Sequence, residues 1–551
     1  MNSQDLDVVV VGAGFGGMYL LHRFSKMGLK ARAFEAGSDV GGTWYWNRYP
    51  GARVDVESMQ YSYQFDEELQ QEWDWPERYS PQPEILRYAR HVADRFDLRR
   101  DIQFDTRVQA AHYDDATQAW DVTTDDGKVT RARYFVLAVG CLSSFNKPDI
   151  PGLEDFEGNT YFTAQWPHEP VNFTGQDVAV IGTGSTAMQS SPEIAKQAKS
   201  LTVCQRTANY SIPAQNRPQD PEYVAYVRKN YPELRAEAKT LYGGLLDDFG
   251  EVRAVDTPRE EVEAELEQRW KKGGLTFLGG FSDMLYDERA NVIAAEFVKA
   301  KIRSIVKDPE TAELLCPRNI IGGKRLCVDN GFFQIFNLPH VSLMDVGSKP
   351  IERITPRGIL RGGTEHRFDS IVYATGFDAI TGSYLRIDIR GRDGLKLKDH
   401  WDAGPRTFLG MTVSGFPNMF MVTGPGSPSV LTNMLPSIEL SVEWLTDAIA
   451  ALRKAGKTTM EATPEAEASW VAHVNEVAQG SLRSKVKSWY NGGNIPGKPS
   501  VFMPYIGGLP AYLEKCNEVV AAGYRGFKMT GAPRPVAPPP QNPVTAEEQT
   551  T

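Results

Sequence analysis

Two stretches decide the fold: VVVVGAGFGG at residues 8–17 and VIGTGSTAMQ at residues 180–189. Each is an apolar, β-branched run that ends in a glycine-spaced turn and continues into a helical pattern. In the first, Gly12, Gly14 and Gly17 form G-x-G-x-x-G. The first glycine permits a tight turn. The second lets a pyrophosphate approach the backbone, and the third lets helix and strand pack closely. The helical stretch MYLLHRFSKMG follows, and the N–H groups and dipole at its start suit phosphate. Glu35 stands 18 residues beyond Gly17, at the end of the next strand, KARAFEA. A carboxylate there accepts ribose hydroxyls and repels a 2′-phosphate, which suits FAD or NAD.

The second stretch repeats the pattern as G-x-G-x-x-A with Gly182, Gly184 and Ala187. Its following strand, SLTVCQR, carries Arg206 where the first unit has Glu35. An arginine there pairs with a 2′-phosphate, so this loop prefers NADP over NAD. One loop is therefore expected to hold FAD and the other NADPH, with a hydride passing from nicotinamide to flavin.

Working outward, apolar strands alternating with helices indicate parallel sheets covered on both faces. The fold expected is α/β, with two dinucleotide-binding, Rossmann-like domains and a helical insertion in the NADPH domain. The FAD domain takes residues 1–145 and returns over 383–530. The NADPH domain takes 146–218 and 316–382. Residues 219–315 are charged and helical in spacing, as in TPREEVEAELEQRWKK, and form the insertion. Residues 531–551 hold six prolines and read as a disordered tail.

The 551 residues fit two to four domains. No apolar run approaches the ~20 residues of a membrane span, and the first strand starts too early for a signal peptide. The cysteines Cys141, Cys204, Cys316, Cys327 and Cys516 show no close spacing, which fits reduced thiols in a cytoplasmic protein. The eight histidines show no metal-ligand spacing, so no metal is expected. A net charge of −10 without a basic run argues against nucleic acid as a partner. Nothing in the chain demands more than a monomer.

The stretch GGTWYWNRYPGARVD, residues 41–55, resembles the signature G-G-x-W-x(4)-Y-P-G-x(3)-D of the type I Baeyer–Villiger monooxygenases. Gly41, Gly42, Trp44, Tyr49, Pro50, Gly51 and Asp55 all match. DSIVYATGFD (Asp369 to Asp378), GGKRLCVDNGFFQIFN (Gly322 to Asn337), TGPGSPSVLTNM (Thr423 to Met434) and SWYNGGNIPGKP (Ser488 to Pro499) resemble further segments of that family, in order. The resemblance runs from about residue 6 to 525. It implies that ketones become esters or lactones with NADPH and O2 through a C4a-peroxyflavin, and that sulfides are also oxidised.

The resemblance also implies roles. Arg325 is the catalytic arginine, a fixed positive charge for a peroxyanion and then an oxyanion. Asp55 positions it, and both lie against the cofactors. Lys324 joins Arg206 on the 2′-phosphate, with Thr207 beside them. Thr183, Gly184, Ser185 and Thr186 line the NADPH pyrophosphate, with Ala187 and Gln189 on the same helix. Thr43, Trp44, Tyr61, Val108 and Met434 contact FAD. Ser429, Val430 and Leu431 shape the substrate pocket. Trp489 sits on a mobile control loop near 488–505 that closes over the nicotinamide nucleotide.

One departure stands out. The family fingerprint is F-x-G-x(3)-H-x(3)-W-P, and this chain reads FEGNTYFTAQWP. Phe156, Gly158, Trp166 and Pro167 match, but Phe162 replaces the histidine and His168 is out of register. Phenylalanine keeps the bulk and loses both ring nitrogens. Two outcomes follow: a repacked linker with activity intact, or NADPH oxidation with release of hydrogen peroxide. The rival readings are therefore an uncoupled NADPH oxidase and a flavin monooxygenase acting on nitrogen or sulfur.

Overall fold

The computed structural model describes residues 6–531, so the expected tail lies outside the described residues apart from Gly531. The strand Leu6–Val11 is central to the first sheet, with Ala31–Phe34 and Val129–Leu137 parallel on either side. Val8, Val9 and Val10 are fully buried, because both faces of the sheet are covered. The helix Phe15–Lys26 covers one face and packs against the long helix Met434–Lys454. Tyr19 donates to Glu443 (2.9 Å) and Arg23 to Asp447 (2.7 Å), so the two distant segments are pinned by polar as well as apolar contacts.

This sheet is mixed where the sequence reading expected parallel strands. Val129–Leu137 is long enough to serve two neighbours on one edge. Its first half pairs antiparallel with Ala119–Thr124, and its second half pairs parallel with Met419–Met421. Val108–Asp114 continues the antiparallel meander, and Asp388–Arg390 pairs parallel with it at the sheet edge. The meander strands alternate buried and exposed residues, as one-face-covered strands do.

The second sheet is fully parallel and has five strands. Its order is Val341–Asp345, Ser200–Gln205, Asp177–Ile181, Ser370–Tyr373 and Asn159–Phe162. Between Pro213 and Cys327 no strand is found among the described residues; the α-helices there are Pro221–Lys229, Tyr231–Thr240, Arg259–Lys272, Glu288–Ile305 and Pro309–Leu315. Two of these starts were written locally as Asp-Pro. The Asp220 and Asp308 side chains accept from the backbone N–H of Glu222 and Thr311, and the prolines take the first helical position.

The two halves are joined twice, and the joins run side by side. Asn146 N donates to Gly376 O (3.0 Å), Asp378 N to Ser144 O (2.8 Å) and Ile380 N to Cys141 O (2.7 Å).

The glycine loops differ in how tightly they pack. A Cβ on Gly17 would lie 1.9 Å from the Gly12 carbonyl oxygen, so only glycine fits there. In the second unit the corresponding position is Ala187, whose methyl is accommodated with no exposure. Gly17→Ala is therefore expected to lower stability by about 1–3 kcal/mol and to reduce bound flavin. Thermal unfolding and the flavin-to-protein absorbance ratio check this; an unchanged melting temperature with full flavin would contradict it.

Candidate active site

The first glycine loop is closed from outside by the turn that begins GGTW. Gly41 N donates to Ala13 O (3.2 Å), and a Cβ on Gly42 would lie 2.9 Å from the Gly14 Cα. The Glu35 carboxylate is buried and accepts from Ala13 N and Gly37 N, each at 2.8 Å. Burial pushes its pKa up although both backbone bonds oppose this. Thr43 and Trp44 open the short helix Thr43–Trp46, and the Trp44 indole donates to the Tyr61 hydroxyl (3.1 Å). Tyr61 and Met434 pack against the apolar cluster that holds Phe15 and Trp44. Val108 packs with Val11 and Phe34 in a neighbouring cluster. The residues expected around FAD thus gather on the strand ends and turns of one half. A paired-glycine cradle, a helix N-terminus and a buried carboxylate fit a dinucleotide without a 2′-phosphate.

The second loop is open. A Cβ on Gly182 would strike the Ala374 carbonyl oxygen at 2.4 Å, whereas one on Gly184 would meet nothing within 4 Å. Thr183 donates to Thr207 O (2.7 Å) and Ser185 to the Cys327 sulfur (3.4 Å). The Thr186 hydroxyl lies 3.4 Å from that of Thr163. Arg206 and Thr207 follow the strand Ser200–Gln205 and are exposed. Lys324 is half-buried nearby. Burial and then the charge of Arg206 hold its pKa below the ordinary lysine value. Among the described residues neither cation has a carboxylate partner, so two like charges converge without a counter-ion. That arrangement fits a phosphate dianion.

Gln189 was expected with the NADPH set, and its amide is bonded on both sides to the other half. Tyr49 donates to its oxygen (2.8 Å), and its nitrogen donates to Arg53 O (3.1 Å). Gly51 lies against the same helix; a Cβ there would come within 2.2 Å of Gln189 O. The YPG turn of the FAD half is therefore clamped to the NADPH half.

Between these loops Arg325 grips Asp55 with two bonds, Nε to Oδ2 at 2.8 Å and Nη2 to Oδ1 at 2.9 Å. Nη1 donates to Val430 O at 2.6 Å. Nη1 and Nη2 each carry a second hydrogen, and the Tyr490 hydroxyl lies within hydrogen-bonding reach of the guanidinium. The side chains are 25% and 27% exposed, so the pair is neither fully solvated nor sealed. Burial pulls the Arg325 pKa down, but the charge and hydrogen bonds of Asp55 outweigh it and the net shift is upward. Val430 belongs to the turn Ser429–Leu431. Ser429 is buried in a left-handed conformation (φ 45°) with its hydroxyl unpartnered. Such strain is uncommon outside glycine and concentrates at functional sites. Trp489 is half-buried with its ring 4.3 Å from that of Tyr490, and Tyr490 is buried beside Arg325.

Residues 6–228 match a family described as flavin-binding monooxygenase-like. A Baeyer–Villiger monooxygenase of Pseudooceanicola batsensis is 43% identical over 525 residues, covering 94% of this chain and 95% of that one. This chain belongs to that family of flavin monooxygenases. A phenazine N-monooxygenase of Lysobacter antibioticus is likewise 43% identical, over 96% of this chain and 97% of its own. The solved structure of an oxidised steroid monooxygenase bound to NADP superposes with a TM-score of 0.92 at 50% identity, covering 96% of this chain and all of that one.

This Baeyer–Villiger-type monooxygenase is a flavoprotein that uses FAD and NADP, with two Rossmann-type domains. No described helix is long and apolar enough to cross a membrane. Among the described residues no cluster of His, Cys, Asp and Glu could hold a metal ion, and the five cysteines are free and buried.

The fingerprint departure has a structural counterpart. Phe162 ends the edge strand Asn159–Phe162 and stacks on Tyr373 (5.0 Å, 19°). Phe145, from one of the two connections, also tilts against it at 5.8 Å. The position is filled by aromatic packing. Three residues that sequence reasoning passed over also belong here: Tyr490 beside Arg325, and Asn494 and Lys498, which reach the second connection. All three lie in the segment SWYNGGNIPGKP that the family resemblance marks, but of that segment only Trp489 was given a role.

Two outcomes are expected. The Arg206→Ala variant raises the KM for NADPH at least about tenfold more than that for NADH. It also moves the alkaline fall of kcat/KM for NADPH to higher pH, because Lys324 loses the charge that depresses it. Steady-state kinetics with both nucleotides across pH check this; equal effects on both would place 2′-phosphate reading elsewhere. Phe162→His is expected to leave the product formed per NADPH unchanged, since the linker is already packed. A rise measured by product and peroxide assays would contradict this.

Proposed function

We propose that this enzyme inserts an oxygen atom beside the carbonyl of a ketone, giving an ester or lactone, with NADPH and O2 as co-substrates. The observation that carries this reading is the Arg325–Asp55 pair held between the two dinucleotide loops. Attack on a carbonyl needs a deprotonated oxygen nucleophile, and afterwards an oxyanion must be held. A guanidinium does both, because it stays charged and presents N–H donors in a fixed plane. Bound FAD, once reduced by NADPH, supplies the O2 chemistry of the reaction. Arg325 holds the developing negative charge, while Asp55 fixes the plane of its guanidinium. Lys324 and Arg206 hold the 2′-phosphate, and the Ser429–Leu431 turn borders the substrate. Trp489 and Tyr490 shut water out over the nicotinamide side.

The name and similarity of the Pseudooceanicola relative support the ketone reaction. The likeness to a steroid monooxygenase favours bulky ring ketones as the substrate class. A second reading, oxygenation of ring nitrogen or of sulfide, is favoured by the equally similar phenazine N-monooxygenase. It is ranked lower because a soft heteroatom attacks an electrophilic oxygen and gains nothing from an arginine that keeps that oxygen anionic. The enzyme is proposed to act as a cytoplasmic monomer on a small molecule, without nucleic acid or membrane as a partner.

Arg325→Ala is expected to leave bleaching of the flavin by NADPH intact while ester formation falls by about 10²–10³-fold or more. Asp55→Asn should give the same split to a smaller degree. Anaerobic flavin reduction followed at the flavin band, with product mass analysis on a panel of aryl, cyclic and steroid ketones, checks both. Ester formation by Arg325→Ala at the wild-type rate would overturn the proposal.

A further inference from the structure

Residues 488–503 form an excursion whose only regular element is the short turn Trp489–Asn491. Met503 N donates to Tyr490 O (2.9 Å), so the two ends of the excursion are fastened to each other. Its middle is fastened elsewhere. The Lys498 ammonium lies 2.5 Å from Asp378 Oδ1 and 3.3 Å from Ala379 O, and Asn494 donates to Phe377 O at 2.9 Å. Residues 377–379 are the second connection between the dinucleotide halves, bonded along its length to Ser144 and its neighbours. Asp378 N itself donates to Ser144 O. One residue farther on, Ile380 is left-handed (φ 66°), an uncommon state for a β-branched residue.

The bridge has been given room. A Cβ on Gly382 would lie 2.6 Å from the Asp378 carboxyl carbon, and one on Gly492 would lie 3.1 Å from the Lys498 Cδ. The two side chains are 13% and 29% exposed, so their attraction is less screened than that of a surface pair. We propose that Lys498 is a positioning residue: through Asp378 it fastens the segment bearing Trp489 and Tyr490 to the second connection and so holds that segment in its seated position. The inference rests on the reading of Trp489 and Tyr490 as the cover of the nicotinamide side, and its test is chosen to stand apart from ketone oxidation.

The test uses FAD-loaded enzyme and the variants Lys498→Ala, Lys498→Arg, Asp378→Ala and the double alanine variant. Chymotrypsin cleavage at the aromatic residues of 489–502 is followed with and without NADP+, and KM and kcat are measured with NADPH. Protection by NADP+ is expected to fall about fivefold in either alanine variant, with KM raised by about the same factor and kcat nearly unchanged. Lys498→Arg should restore both, and the double variant should be no worse than the singles. Wild-type protection in Lys498→Ala would overturn the proposal. So would additive losses in the double variant, or a raised KM in Lys498→Ala with none in Asp378→Ala, which would make Lys498 a direct nucleotide contact. Because protection needs no ketone, it can succeed where the proposed oxygenation fails.

Discussion

The bidentate pair of Arg325 and Asp55 joins residues 270 positions apart and is the constraint around which the two halves are arranged. A partly desolvated guanidinium is tolerable only with its carboxylate in place, and the carboxylate only with its guanidinium. Each half therefore presents a charge that the other must meet. Asp55 ends the YPGARVD turn, which is held to the NADPH half through Tyr49, Gly51 and Gln189. Arg325 follows the Gly322–Gly323 bend and donates its third bond to the Val430 carbonyl, back in the half that carries Asp55. Small residues set these distances. Gly51 lets the turn approach a helix backbone, and a bulkier residue there would part the halves before the pair could close.

Around this pair the chemistry divides cleanly between the domains. One half carries the closed glycine loop, the buried Glu35 and the Ser429–Leu431 turn. The other carries the open loop, Arg325 itself, and Arg206 and Lys324, which have no carboxylate partner among the described residues. The connections run together, so a shift in one is transmitted to the other through their shared backbone bonds.

Much of this was legible locally. Glycine spacing, the acid or arginine at the end of the second strand and the Asp-Pro helix starts each demand a residue type at a fixed offset, and a single sequence shows such offsets. The continuous valine run announced a strand covered on both faces. The meander from Val108 to Leu137 was missed although Asp126-Gly127 marks a turn between alternating segments, because the neighbouring parallel units invited a uniform reading. What depends on distant partners could not be read. Gln189 has the type and place of a nucleotide ligand, and only the tertiary structure shows its amide taken by Tyr49 and Arg53. Phe162 left two outcomes open because Tyr373, on which it stacks, is remote in sequence. The Lys498–Asp378 contact consists of two common charges without a pattern. Arg206 and Lys324 converge from separate segments, and the family resemblance placed them together where spacing alone did not.

The contrast between the two glycine loops has a consequence for motion. Gly14 is backed by Gly42, so the first loop can open only if the GGTW turn leaves the strand end. Gly184 faces open space, so the second loop carries no such cover. The two loops thus differ in freedom of movement: one is locked by a neighbouring turn, and the other can shift without disturbing anything packed on it.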